Sequence, residues 1–203
     1  MENDRHGAKQ PHRFDPAKAC KLDDPARFRI LPPEEVLGLL DAPHGGLVVD
    51  FGTGTGAYAL ALAALRPDLR VAALDEQPAM LDYLKAKLAG RPVAGVEPVL
   101  SGTPAAAALA GRADRVLALN VLHELGDKAL GQAAALLKPD GRVLFVDWNS
   151  QSESGEGPPR NHVYSPDEGA ARVENFGFVV EKKKILRAHY ALSAAYRPRI
   201  NPD

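Results

Sequence analysis

Cysteine is nearly absent from this chain: Cys20 stands alone among 203 residues. One thiol excludes an internal disulfide and any cysteine-based zinc site. An excess of either charge is missing too. A net charge of −1 at pH 7 gives no global pull toward nucleic acid or an anionic membrane. No apolar run is long enough to span a bilayer, and the Met1–His6 start has no apolar signal region. These absences lead us to expect a cytoplasmic protein with a small-molecule partner, no membrane insertion and no bound nucleic acid; oligomeric state is left open. At this length the chain fits one domain with a sizeable core.

What is present is concentrated in Leu47-Val48-Val49-Asp50-Phe51-Gly52-Thr53-Gly54-Thr55-Gly56. The apolar lead predicts a buried strand. Alternate glycines let the chain turn sharply and bring its backbone against a ligand. Leu60, Leu62 and Leu65, set among alanines, predict a following helix whose N-terminal N–H groups face that ligand. A strand, a glycine turn and a helix make a nucleotide or nucleoside cradle.

The rest of the chain repeats the alternation. Strands are predicted over 71–75, 96–100, 115–120 and 142–148, and helices over 79–88, 105–110 and 128–137. Lys138-Pro139-Asp140-Gly141 is expected to turn into the fifth strand. Residues 1–30 are polar without a steady period and predict an arm, a lid or a disordered tail. A first helix starts at Pro32-Pro33-Glu34-Glu35, and a late one opens at Ser165-Pro166-Asp167-Glu168 in the form of an N-cap followed by proline. The last two strand-like runs, 178–186 and 189–196, are so closely linked that they must pair antiparallel. The expected fold is α/β: a doubly wound, mostly parallel, Rossmann-like seven-stranded sheet with an antiparallel C-terminal strand, formed by one domain over residues 31–203. In Lys182-Lys183-Lys184, alternate side chains point to opposite faces, which suits protection of a sheet edge better than a phosphate or RNA site.

Two cofactor readings compete for the glycine turn. A dinucleotide site needs Gly-x-Gly-x-x-Gly, with an acid ~20 residues further on. Here the third glycine comes one position early and Ala57 stands in its place. An acid does close the second strand, at Asp75, where it can accept two ribose hydroxyls and reject a 2′-phosphate.

Asp50-Phe51-Gly52-Thr53-Gly54-Thr55-Gly56, Asp75 and Lys138-Pro139-Asp140-Gly141-Arg142 together resemble the motifs of the class I S-adenosylmethionine-dependent methyltransferases. The resemblance covers roughly residues 45–197, and the final antiparallel hairpin is also a feature of that family. It implies S-adenosylmethionine as cofactor, held by Asp50, Gly52, Thr53, Gly54, Gly56, Asp75, Glu76, Met80, Gly102 and Asn120. The family often places an acid after the third strand, for the adenine amino group; this chain has Ser101-Gly102-Thr103.

Leu119-Asn120-Val121-Leu122-His123-Glu124-Leu125 resembles the same segment of quinone-biosynthesis C-methyltransferases and arsenite methyltransferases. A lone cysteine does not serve arsenite chemistry. The segment also lacks the Asn/Asp-Pro-Pro-Tyr/Phe motif of enzymes that methylate DNA amino groups. The resemblance implies an enzyme that moves a methyl group to a small acceptor by in-line transfer. His123 is the first candidate for a general base because its ordinary pKa lies near neutrality, and its other role is to orient the turn after the fourth strand. His162 and Tyr164, on the loop after the fifth strand, are candidates on the substrate side. Asp147 and Asn149 flank Trp148 as a metal pair would, but catechol-type methyltransferases need an acid where Asn120 stands, so no metal is expected. Lys18, Lys21 or Arg27 of the N-terminal arm can reach a carboxylate if the arm closes as a lid. A non-catalytic S-adenosylmethionine-binding module and an NAD-dependent oxidoreductase are the alternatives.

Overall fold

A computed structural model describes residues 15–197. A 3-10 turn over Pro16–Asp23 leads into α1 (Ala26–Ile30) and α2 (Pro33–Leu40). Seven strands follow: β1 (Leu47–Phe51), β2 (Arg70–Asp75), β3 (Val96–Leu100), β4 (Ala113–Leu119), β5 (Leu137–Trp148), β6 (Phe178–Ile185) and β7 (His189–Tyr196). Between them lie α3 (Ala57–Leu65), α4 (Pro78–Gly90), α5 (Pro104–Ala107), α6 (Asp127–Leu136) and α7 (Pro166–Phe176).

The strand order is β3-β2-β1-β4-β5-β7-β6. β1 to β5 are parallel, and β7 runs antiparallel to both β5 and β6. Order reverses between β1 and β4, which opens a crevice at their carboxyl ends.

Alternation along the strands divides the core between the two faces of the sheet. Leu47, Val49 and Phe51 of β1, with Ala72 and Leu74 of β2, pack with α6 and α7. Val48, Val71 and Ala73 pack on the other face with α2, α3 and α4. Both faces of the central strands are therefore apolar, as helices on each side require.

The expected turn at Lys138 is drawn into the sheet. Leu137 pairs with Ala113, and pairing resumes at Arg142 opposite Arg115, so residues 138–141 bulge outward against Asp114. Gly141 sits so close to the Ala113 carbonyl that a Cβ would lie 2.8 Å from that oxygen. Asp114 binds the turn together: one oxygen meets the Lys138 ammonium at 2.5 Å, the other accepts the Leu47 N–H at 2.8 Å. That clamp lies at the end of the sheet away from the glycine turn.

β6 is an exposed edge. Lys183 reaches Asp167 of α7 and Lys184 reaches Glu35 of α2, so successive lysines tie opposite layers to the edge strand.

Ser165 caps α7 with a full capping box. Its hydroxyl accepts the Glu168 N–H, and the Glu168 carboxylate accepts the Ser165 N–H at 2.7 Å. Ser165→Ala is expected to cost about 1 kcal/mol, which a thermal melt should register as a fall of roughly 2–4 °C.

Candidate active site

The glycine turn is strapped to β2. The N–H groups of Gly52 and Thr53 both donate to the Leu74 carbonyl, at 2.9 and 3.0 Å. The Gly54 N–H donates to Asp75 Oδ2 at 2.8 Å, while Oδ1 of the same carboxylate accepts the Gln77 N–H at 2.9 Å. Gly52, Gly54 and Gly56 all take φ between +56° and +75°, a region costly for other residues. Each also backs onto a neighbour: Gly52 onto Val121, Gly54 onto Leu22, Gly56 onto Leu84.

A cavity of about 290 Å³ lies over this turn, close to the size expected of a small-ligand site. Asp50, Gly52, Thr53, Gly54, Asp75, Glu76, Met80 and Asn120 line it. Gly56 does not; it is the left-handed cap that starts α3. Gly102 also lies away from the wall, and its neighbour Ser101 takes the place at the end of β3. Thr103 is spent on capping α5.

Two buried carboxylates dominate the electrostatics. Asp50 and Asp75 end adjacent strands and are 3% and 7% exposed. Burial pushes the Asp50 carboxyl up to about 6; the hydroxyl of Thr53, 2.6 Å away, pulls it down less, and the charge of Asp75 pushes it up again. Burial likewise raises Asp75, against the pull of its backbone N–H donors. Such a pair is built to meet a cation or several donors.

Asn120 follows β4 with φ +58°, one of two non-glycine residues with positive φ among those described. Its side-chain oxygen is buried and has no partner among the described residues. A left-handed non-glycine residue with an orphaned acceptor in a cavity wall is a strained arrangement of the kind that ligand sites keep.

His123 lies just behind the wall rather than in it. Its Nδ1 meets both carboxylate oxygens of Asp147 at 2.9 Å, and its backbone N–H donates to Asp147 Oδ2 at 2.8 Å. Burial lowers its pKa, but the bond to fully buried Asp147 and the charges of Asp147 and Glu124 together outweigh that and hold it above the ordinary value. Glu124, the next residue, does line the cavity. His162 and Tyr164 are not brought to it. His162 ends a short 3-10 turn over Arg160–His162, and Tyr164 is packed into the core with Val173 and Tyr190. Asp147 and Asn149 form no metal cluster, and no group of three or more metal-ligating side chains occurs among the described residues.

The N-terminal arm closes one side. Asp23 accepts from the Thr55 hydroxyl and the Lys87 ammonium, which latches the arm to the glycine turn. Leu22 and Arg27 thereby enter the wall, whereas Lys18 and Lys21 are exposed. The Arg27 guanidinium lies 5.6 Å from the ring centroid of Tyr58, and the Tyr58 hydroxyl donates to the Leu31 carbonyl at 2.8 Å. Among the described residues no carboxylate pairs with Arg27.

Leu125, Ala129 and Gln132 complete the wall from the segment that enters α6. They were not foreseen. Ala129 and Gln132, three residues apart on α6, share a helical face, a signal that would have placed them together, whereas Leu125 precedes the helix in extended backbone.

Comparison with known proteins agrees with this arrangement. Residues 48–141 match the family described as methyltransferase domain. The crystal structure of a SAM dependent methyltransferase from Aquifex aeolicus is 29% identical, covers 90% of this chain and 98% of its own, and superposes with a TM-score of 0.80. The matched family is one of methyltransferases, and the Aquifex aeolicus structure is of a SAM dependent one. The structure of the mitomycin 7-O-methyltransferase MmcR shares the fold at 24% identity and a TM-score of 0.61, over 88% of this chain and 61% of that one. Release factor glutamine methyltransferase from Mycolicibacterium smegmatis is 49% identical over 51 residues. That match spans 25% of this chain and only 18% of the relative's length. Among the described residues no helix is long and apolar enough to cross a membrane.

Two consequences of this geometry are measurable. An added Cβ at Gly56 would lie 2.5 Å from Leu84 Cδ1 at a φ of +75°, so Gly56→Ala should lower stability by about 2 kcal/mol in denaturant unfolding. Asp50 is the second. Its folded pKa of about 6 exceeds the ordinary carboxyl value of 3.8, so the folded state holds the proton more tightly. Its contribution to stability is complete below pH 4 and is lost as pH rises toward 6. The wild type should therefore lose on the order of 3 kcal/mol relative to Asp50→Asn between those pH values, and parallel pH–stability curves would contradict this.

Proposed function

We propose that this protein transfers the methyl group of S-adenosylmethionine to a small-molecule acceptor by in-line displacement. The observation that carries the reading is the pair of buried carboxylates, Asp50 and Asp75, flanking a glycine turn at the ends of adjacent parallel strands. The Asp75 carboxylate accepts the backbone N–H groups of Gly54 and Gln77, with Glu76 a lesser third, and its two oxygens still have acceptor capacity to spare. Two such acceptors suit the two hydroxyls of a ribose and repel a 2′-phosphate.

Asp50 faces the cofactor's ammonium, and Arg27 supplies a cation for its carboxylate. The orphaned Asn120 oxygen takes a donor from the same ligand. Met80 and Ser101 stand at the adenine end, where Ser101 or backbone replaces the acid that often follows the third strand.

S-adenosylmethionine, when bound, brings a methyl group already activated on a sulfonium. What remains for the chain is alignment, which can supply several kcal/mol of a barrier, and removal of the acceptor's proton. Enclosure by the arm supports a small acceptor: Leu22 and Arg27 narrow the mouth, so segment 16–30 serves as a lid. The resemblance of the run from Leu119 to Leu125 to that of the quinone-biosynthesis C-methyltransferases supports a related acceptor chemistry.

Calorimetry with S-adenosylhomocysteine tests the reading. Wild-type protein should release binding heat at high micromolar ligand, and Asp75→Ala should weaken binding by about tenfold or more, the scale of one charge-assisted hydrogen bond lost from a buried site. A folded protein that gives no heat would overturn it.

A further inference from the structure

We propose that Glu124 is the group that receives the acceptor's proton, and that His123 and Asp147 are positioning residues behind it. The proposal rests on the methyl-transfer reading above and names a residue within it. It starts from a difference between two neighbours in sequence: Glu124 lines the cavity, whereas His123 does not.

The chain makes this difference by its path. Asn120 turns the backbone out of β4 through a left-handed conformation, and Val121 packs against Gly52. A single 3-10 turn over Leu122–Glu124 then sends His123 inward and Glu124 toward the cavity. Asp147 fixes that turn at two points, the His123 backbone N–H and the imidazole Nδ1. The other ring nitrogen, Nε2, lies 3.7 Å from Glu124 Oε1. Carboxylate, imidazole and carboxylate thus stand in a row from the fully buried strand end to the cavity wall.

The row explains why the histidine is poorly placed to act itself. Both its ring nitrogens face carboxylates of this chain, and its Asp147 partner is 0% exposed. Asp147 holds the ring from one side, 2.9 Å from Nδ1, and so fixes where Nε2 meets Glu124. That contact orients the Glu124 carboxylate at the cavity wall. In the transfer, an electron pair of the acceptor X–H, a lone pair on a heteroatom or the π pair at a ring carbon, would form a bond to the methyl carbon as the carbon–sulfur bond breaks. The bonding pair returns to sulfur as a neutral thioether, and the proton of X–H passes to a Glu124 oxygen.

Sinefungin gives a test that needs no acceptor, because it carries an ammonium where S-adenosylmethionine carries its methyl group. Calorimetry should compare it with S-adenosylhomocysteine on wild type, Glu124→Gln, Glu124→Asp and Asp147→Asn. Glu124→Gln should lower sinefungin affinity about tenfold while S-adenosylhomocysteine affinity moves less than about twofold. Glu124→Asp, which withdraws the carboxylate by one methylene, should shift the preference the same way. Asp147→Asn keeps the buried shape and should reduce the preference by loosening the hold on the imidazole that orients Glu124. If Glu124→Gln changes both affinities alike, or neither, the proposal is overturned. An unchanged preference in Asp147→Asn would overturn the positioning role. Failure of wild type to bind either ligand would instead strike the cofactor reading.

Discussion

The hold of β2 on the glycine turn is the interaction on which the site depends. Leu74 and Asp75 together take three N–H donors from Gly52, Thr53 and Gly54. Without them the turn would have no reason to stay in three successive left-handed glycines, each entropically costly to fix. With them, α3 starts at a defined point and the two carboxylates share one wall. Asp75 serves two ends at once, because its oxygens have more acceptor capacity than the backbone uses. The side chain that holds the turn is therefore also the one we propose for the ribose.

Much of this was legible in the chain. The strand positions and the antiparallel ending follow from apolar runs and from the short link, Leu186, Arg187 and Ala188, that joins the last two strands. Asp50, Asp75 and the glycines announce themselves because few other contexts combine those residue types at that spacing. Less legible was what lies one residue off. His123 and Glu124 look equally placed beyond the fourth strand, and only the sense of a 3-10 turn decides which faces the cavity. Gly102 and Ser101 exchange places for the same reason. Tyr164 sits on a loop by sequence, yet its ring belongs to the core beneath α7, since Ser150 and Tyr164 are joined by a backbone hydrogen bond that folds the loop inward.

The arm was the hardest part to foresee. Its composition gives no period, and what orders it is long-range: Asp23 finds Thr55 and Lys87, and Phe28 stands edge-on to Tyr58 at 5.2 Å. Local propensity has no access to partners 30 to 64 positions away. Arg27 was one of three cations that could have entered, and the helix α1 selected it.

The reversal of β7 has an effect beyond closing the sheet. Parallel strands present carboxyl ends on one rim, and β7 presents its beginning there instead, where His189 stacks on Trp148 at 4.0 Å. Burial takes that histidine down to about 3, so it is neutral, and an aromatic plug occupies the rim. Gly157 packs flat against the same tryptophan and thickens the plug from the loop side. That flank is thus filled by protein, and the wall over the glycine turn is completed instead from the segment entering α6 and from the arm.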